Sequence, residues 1–326
     1  MIRKNILGGL VATLLAMAGC GDDASVGDST AAQLYWQQPD STFVPTLTPT
    51  DAKSMSRNSM WAADPRAKAV FRFTPGEGRY VAIGADDREP TQIQVPAKLA
   101  VSPELGLSVY DAETKSVDLF TPDGEFVRGF AVEFTPAVME FSTAPLGYTF
   151  AVASSDFDAA PRVLIIRTDV LGVTRDTLLS PDVGPPALRA AEAAPGQTLM
   201  ASSGNGLWVW SKAAPDTIFE VAPRSSRVIP VRTEDQAAIG MLSDPATDML
   251  WLGHIEDLGG SYSAYDTRTG VDEAFLGVRT TTGQFSPRLV HDGILMGWYL
   301  GEQDRPAAVA YDLNADGFER QDLGEE

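Results

Sequence analysis

Short runs in which apolar and polar residues alternate recur along most of this chain in a fixed order. Each unit has a turn, a short strand that often carries tryptophan, a polar turn and a second alternating strand. The units span residues 58–84, 105–130, 147–172, 205–231, 248–277 and 293–324. Alternation with a period of two is typical of strands, so the sequence predicts β-structure throughout this region.

The spacing of these units predicts how the strands assemble. One equivalent position is occupied by Trp61, Ser108, Phe150, Trp208, Trp251 and Met296, at intervals of 42 to 58 residues. The longest interval contains a Pro- and Ala-rich insertion at 180–196, expected between blades or in a loop. Further strand candidates precede the units at 98–103, 137–142, 237–243 and 287–292. Four short strands in each of six repeats predict an all-β fold, a six-bladed β-propeller of four-stranded antiparallel blades over 52–326.

The second unit carries a family resemblance. Its sequence "LSVYDAETKSVDLFTPDGEFVRGF" at 107–130 resembles a blade of the NHL-type six-bladed propellers, a TolB-like architecture. It follows that family's order of strand, Asp, polar turn, Val-x-x-Phe and Asp-Gly-x-Phe, whereas the other units match loosely. The resemblance implies the same propeller fold and a role as a binding platform.

Turns between the predicted strands are marked by Gly and Asp. "PDG" at 122–124 and "ADG" at 315–317 read as hairpin turns in which Gly takes a positive φ. Asp64, Asp111 and Asp266 fall near hairpins, where we expect them to cap turns or to face the central channel.

The first residues differ from the rest of the chain. Arg3 and Lys4 precede a short apolar run at 6–17, and small residues then lead to Cys20, the only cysteine. The apolar run is well below the ~20 residues that span a bilayer, so we read it as a signal peptide.

Residues Met17 to Cys20 resemble the lipobox of bacterial lipoproteins, which reads Leu-Ala-Gly-Cys, with Met in place of Leu. The resemblance implies a signal peptide at 1–19, diacylglycerol on Cys20, and fatty acylation such as palmitate on the new amino terminus. Several acyl chains give firm anchoring. Because Gly21 follows the cysteine, we expect the outer membrane of a bacterial cell envelope. Residues 20–51 read as a tether, although the aromatic segment 33–38 could also be a strand that closes the fold.

Charge limits the classes of partner. The 326 residues carry a formal net charge of −19, spread without a long like-charged block. A field of that sign repels nucleic acid, so no nucleic-acid partner is expected.

Recognisable catalytic motifs are missing, including G-x-S-x-G, H-E-x-x-H, C-x-x-C and the P-loop. The two histidines, His254 and His291, lie near predicted strand ends, where each serves as a structural or surface residue or as a general base. We therefore predict no catalytic residues and no cofactor-binding residues.

One segment resembles a calcium loop. Asp312, Asn314, Asp316 and Gly317 match D-x-[DN]-x-[DN]-G, in which alternate oxygen ligands surround Ca²⁺. The position that needs a bidentate Glu is Leu323, and the ninth position is Arg320. The segment is therefore either a candidate metal site or a plain hairpin turn.

Three functions follow from these features. The first is a membrane-anchored, non-enzymatic propeller that binds a protein, a glycan or another envelope ligand. The alternative is a calcium-dependent hydrolase similar to the six-bladed lactonases, which hold Ca²⁺ in the central channel. The third is a sensor or solute-binding domain. Residues 180–196 and 257–262 are the candidate variable surface loops.

Overall fold

The protein is described from a computed structural model of the chain. The structure describes residues 33–36, 50–56, 59–73, 80–83, 93–132, 137–144, 146–154, 162–180, 182–186, 188, 197–223, 227–232, 236, 238–256, 259–270, 272–279, 284–300 and 306–312. Cys20, Asn314 and Asp316 lie outside these ranges.

The strands are numbered in chain order. The first five are β1 (Gln33–Trp36), β2 (Asp51–Ser56), β3 (Ser59–Asp64), β4 (Ala69–Phe73) and β5 (Tyr80–Ile83). They are followed by β6 (Pro96–Ser102), β7 (Gly106–Asp111), β8 (Ser116–Phe120) and β9 (Phe126–Ala131). The middle of the chain forms β10 (Ala137–Ala144), β11 (Gly147–Ser154), β12 (Arg162–Asp169) and β13 (Thr174–Leu179). Next come β14 (Thr198–Ser202), β15 (Leu207–Ser211), β16 (Ala214–Val221) and β17 (Val228–Pro230).

The remaining strands complete the chain. They are β18 (Gly240–Asp244), β19 (Met249–Glu256), β20 (Gly259–Asp266) and β21 (Asp272–Arg279). The last three are β22 (Gln284–His291), β23 (Ile294–Leu300) and β24 (Pro306–Asp312).

These strands form six four-stranded antiparallel sheets. Five sheets are each built from four strands that are consecutive in sequence, from β2–β5 to β18–β21. The sixth combines β22, β23 and β24 with β1, in which Gln33 pairs with Tyr311 and Trp36 with Ala308. The suggestion that the segment 33–38 contains a strand that closes the fold is therefore confirmed over Gln33–Trp36, and residues 37 and 38 lie outside the described residues.

The first strands of the sheets surround a common axis. Strands β2, β6, β10, β14, β18 and β22 contact one another in sequence, and β22 also contacts β2, so the cycle is closed. The fold is an all-β propeller of four-stranded antiparallel blades.

The hydrophobic core lies between neighbouring sheets and not in one central mass. Each of the clusters found among the described residues joins two adjacent sheets, and together the clusters run around the whole ring. The equivalent positions noted in the sequence all fall on the second strand of a sheet and are all buried: Trp61, Ser108, Phe150, Trp208, Trp251 and Met296. The aromatic side chains at Trp61, Phe150, Trp208 and Trp251 therefore pack within and between the blades.

The aspartates near the hairpins cap turns, Asp64 and Asp111 between the second and third strands of their sheets and Asp266 between the third and fourth. In each case Oδ1 accepts backbone N–H groups two and three residues ahead, at 2.6 to 3.2 Å, in Asp64, Asp111 and Asp266. Their alternative placement, facing the channel, is not observed. The "PDG" turn is also confirmed, because it joins β8 to β9 with Gly124 at a φ of 92°.

The two expected surface loops have different outcomes. The insertion 180–196 does lie between two sheets, because it follows β13 and precedes β14. The predicted loop at 257–262 is wrong from residue 259 onward, since Gly259 is the first residue of β20. The Gly-Gly-Ser segment looks like a loop in sequence, but Gly260 pairs with Ile255 on one side and with Val278 on the other.

Candidate ligand-binding channel

A cavity of about 580 Å³ occupies the axis of the propeller. Residues from the first strand of every sheet line it, because these strands surround the axis. Its size falls in the range of small-molecule sites, which is roughly 300–1,000 Å³. The cavity is thus the candidate ligand site.

A cluster of charged residues joins inner strands across the ring. Lys53 Nζ on β2 donates a hydrogen bond of 2.9 Å to Glu140 Oε1 on β10. Lys98 Nζ on β6 lies 3.8 Å from Glu140 Oε2, and Lys53 Nζ lies 3.6 Å from Asp51 Oδ1. Burial alone would lower the pKa of Lys53, but the carboxylates of Asp51 and Glu140 raise it above its usual value. The lysine therefore remains a cation inside the channel.

Two glycines bring a tyrosine from the third strand of its sheet to this cavity. In the fifth sheet Gly240 on β18 pairs with Gly253 on β19, which pairs with Tyr262 on β20. A Cβ on Gly253 would lie only 2.6 Å from Cε1 of Tyr262, so the ring lies across this glycine. A Cβ on Gly240 would meet nothing within 4 Å, because that space belongs to the cavity.

The Tyr262 phenol is a neutral hydrogen-bond donor at neutral pH. Burial raises its pKa to about 12, and the positive charge of Arg288 opposes that rise. Tyr262, Arg288 and His291 all line the cavity. Within the described part of the chain, none of the three side chains has a hydrogen bond or ion pair.

Hydroxyl groups form another polar part of the lining. Ser142 Oγ on β10 lies 2.5 Å from Ser202 Oγ on β14, and Thr143 Oγ1 donates to the Val101 carbonyl at 3.0 Å. These contacts cross from one sheet to the next. They hold the channel wall in place and leave hydroxyl oxygens at its surface.

The candidate residues from the sequence have mixed outcomes. His291 lines the cavity, whereas His254 lies on β19 and only its backbone is described. Asp312 is the last residue of β24, again without a described side chain, and the rest of the proposed calcium loop is outside the described residues. The "ADG" turn is outside them too. No three His, Cys, Asp or Glu side chains among the described residues gather closely enough to hold a metal ion.

Sequence reasoning missed most of the channel residues. Lys53 and Lys98 each follow an alanine in the first strand of a sheet, and Glu140 and Arg288 interrupt largely apolar strands. A charged residue beside apolar residues was the available signal for Glu140 and Arg288, whereas Lys53 and Lys98 lie in alternating strands and gave no such signal. Tyr262 had no such signal, because its position depends on glycines in two neighbouring strands.

The described residues contain no helix with the length and apolarity of a membrane span.

Comparison with known proteins shows the fold only. No protein-family model matches the chain, and no curated protein matches it either. A Bacteroides fragilis protein described as a putative exported protein has a similar structure, with 13% identity and a TM-score of 0.54, over 87% of this chain and 96% of that one. A streptogramin B lyase has 14% identity and a TM-score of 0.50, over 87% of this chain and 88% of the other. Likeness at these identities is a likeness of fold.

Proposed function

We propose that this chain is a lipid-anchored, non-enzymatic protein of the bacterial cell envelope that binds a protein, glycan or other envelope ligand. In this proposal the six sheets are the six blades of one propeller, and β1 completes the sixth. The ligand, or a projecting part of it, enters the axial channel.

One observation carries the binding role. The channel is a cavity of about 580 Å³ whose lining presents charged groups, hydroxyls and a phenol. A site with a few fixed polar groups among apolar ones is the usual form of a ligand pocket. Its walls are inner strands tied to one another across the sheets, so the site exists before a ligand arrives.

The location is proposed from the leader. The signal at 1–19 and the lipobox ending at Cys20 support export followed by lipid attachment, and Gly21 supports the outer membrane. An envelope location also agrees with the description of one structural neighbour as exported. The tether would then carry the propeller away from the bilayer surface.

Site-specific photocrosslinking in intact cells tests the binding role. We would place p-benzoylphenylalanine at Met55, which lines the channel, and in a control chain at Val127, which is exposed on the outer strand β9. We expect a discrete crosslinked product from position 55 and none from position 127. Absence of a product at position 55, or the same product from both positions, would contradict binding at the channel.

A further inference from the structure

We propose that the recess formed by Gly240, Gly253, Tyr262 and Arg288 binds the anionic head of a small organic acid, a carboxylate or a phosphate. The inference rests on the proposed binding role and names the chemical class of the ligand. The Arg288 guanidinium would pair with the anion, and the Tyr262 hydroxyl would donate a hydrogen bond to it.

The shape of the recess supports this assignment. Gly253 is the position that Tyr262 crosses, and Gly240 contributes open space at the next position towards the axis. A side chain at either position would obstruct the path between the phenol and the channel. The two glycines thus leave room beside Tyr262 for a ligand group.

The charge distribution supports an anion. The described lining of the cavity carries the cations Lys53, Lys98 and Arg288, against the carboxylates of Asp51 and Glu140. Lys53 and Lys98 already face Glu140, at 2.9 and 3.8 Å, and Asp51 accepts the Leu99 backbone N–H at 2.7 Å. Arg288 has no ion pair within the described residues, so it is the cation that remains for a ligand. The described lining thus has one more cation than carboxylates, whereas the whole chain has a net charge of −19.

The chemistry of the two side chains selects the type of anion. A guanidinium presents paired N–H donors that match the two oxygens of a carboxylate or phosphate. A neutral phenol adds one directed donor, which Tyr262 retains because its pKa is raised to about 12. Met200 and Leu242 line the same cavity and give the apolar part of the ligand a surface to contact. The ligand is therefore a small organic anion with an apolar body.

Calorimetric titration of the full lipidated chain in non-ionic detergent tests the inference with three probes. Benzoate and phenyl phosphate carry the two candidate head groups, and benzamide has a similar body without charge. We expect at least one anion to bind about tenfold or more tightly than benzamide, because a hydrogen bond to a charged group is worth roughly a factor of ten. The better anion identifies the head group. Equal binding of benzamide, or binding of none of the probes, would overturn the inference.

Variants locate the site. Arg288→Gln should weaken binding of the preferred anion about tenfold, whereas Arg175→Gln should leave it unchanged. Arg175 is exposed on β13 and pairs with Asp169, so this control removes the same charge outside the channel. Tyr262→Phe keeps the ring and removes only the hydroxyl, which keeps the test valid if Arg288→Gln does not fold. Equal weakening by Arg175→Gln, or no weakening by Arg288→Gln and Tyr262→Phe, would place the anion elsewhere.

The two proposals fail separately. A crosslinked product at position 55 without anion binding would retain the envelope-binding role and remove the anion site. Anion binding without a crosslinked product would retain the anion site and remove the proposed binding of an envelope ligand.

Discussion

Lys53 and Glu140 form a 2.9 Å hydrogen-bonded ion pair although their strands are not neighbours in the ring. Strand β6 lies between β2 and β10, and it contributes Lys98 to the same carboxylate. One glutamate therefore ties together three inner strands. The pair crosses part of the channel and narrows the space on that side.

Removing the Glu140 charge should destabilise the ring at this point. Glu140→Gln removes the carboxylate that Lys53 and Lys98 share, so Lys98 loses this ion pair and Lys53 keeps only the more distant Asp51, at 3.6 Å. We expect the free energy of unfolding to fall by about 2 kcal/mol in urea denaturation. Glu113→Gln, in the exposed turn after β7, removes the same charge and should change stability by less than ~0.5 kcal/mol. Similar losses from both variants would show that the loss comes from removing a negative charge in general and not from the Glu140 ion pairs.

Asp118 should make the protein less stable as the pH rises. Its carboxyl is buried on β8, and burial, together with the nearby charge of Asp111, raises its pKa from 3.8 to about 6. A raised folded-state pKa means that the contribution to stability is complete below pH 3.8 and is lost as the pH rises through about 6. The cost at pH 8 is on the order of 1–3 kcal/mol, because solvent screens part of the effect.

Asp118→Asn should therefore stabilise the fold at pH 8 and have little effect at pH 3.5, as measured by denaturant unfolding at both values. Asp123→Asn is the matched control, because Asp123 is exposed in the turn between β8 and β9. A gain from Asp118→Asn that is equal at both pH values would show that the carboxyl titrates normally.

The glycine pair should respond unequally to the same substitution. Gly253→Ala forces its new methyl group against the Tyr262 ring, at 2.6 Å before any movement, and we expect a loss of about 1–3 kcal/mol. Gly240→Ala enters open space on ordinary strand backbone and should leave stability unchanged or raise it by up to ~1 kcal/mol. Thermal unfolding of the two variants measures this difference. Equal melting temperatures would show that the ring of Tyr262 moves aside freely.

Metal removal separates binding from the hydrolase alternative. A non-enzymatic propeller should have the same melting temperature in EDTA and in excess Ca²⁺, because a ligand raises stability only by occupying a site on the folded state. A clear rise with Ca²⁺ would contradict this expectation and support a metal site. Asp312→Asn and Asp316→Asn would then show whether the ion is bound by that loop.

The proposed lipid attachment depends on a single residue. Cys20→Ser removes the thiol that the proposal assigns to the diacylglycerol group, and we expect the chain to move from the membrane fraction to the soluble fraction after cell lysis. Immunoblotting of the two fractions measures the change. Met17→Leu, which restores the usual lipobox residue, should leave the chain in the membrane fraction. A Cys20→Ser chain that stays with the membrane would exclude lipid as the anchor.

The propeller was largely predictable because its core repeats along the sequence. Trp61, Trp208 and Trp251 mark second strands that are buried on both faces, so each blade leaves an apolar run of similar length. The strand β1 could be suggested but not assigned, because its partner β24 lies at the other end of the chain.

The channel was harder to predict because it forms only when the blades close into a ring. Lys53 and Lys98 read as ordinary solvent-facing residues of alternating strands, and no short stretch of sequence shows that they converge on Glu140. The same holds for Tyr262, whose access to the axis depends on the paired positions of Gly240 and Gly253. Local sequence patterns predict the strands. The side chains that line the channel depend on how strands distant in sequence align in the folded ring.

The pairing of β1 with β24 has a consequence for how the molecule matures. Five sheets can assemble one after another as the polypeptide emerges, because each uses consecutive strands. The sixth sheet cannot assemble in this way. Its outer strand, β1, is synthesised early but has to pair with β24, which is synthesised near the end. Closure is thus a late step, and a truncated chain would expose the unpaired edge of β1. In the proposed lipid-anchored form, the segment between the anchor and the propeller leads into β1, so a pulling force on that segment would act first on the pairing of β1 with β24.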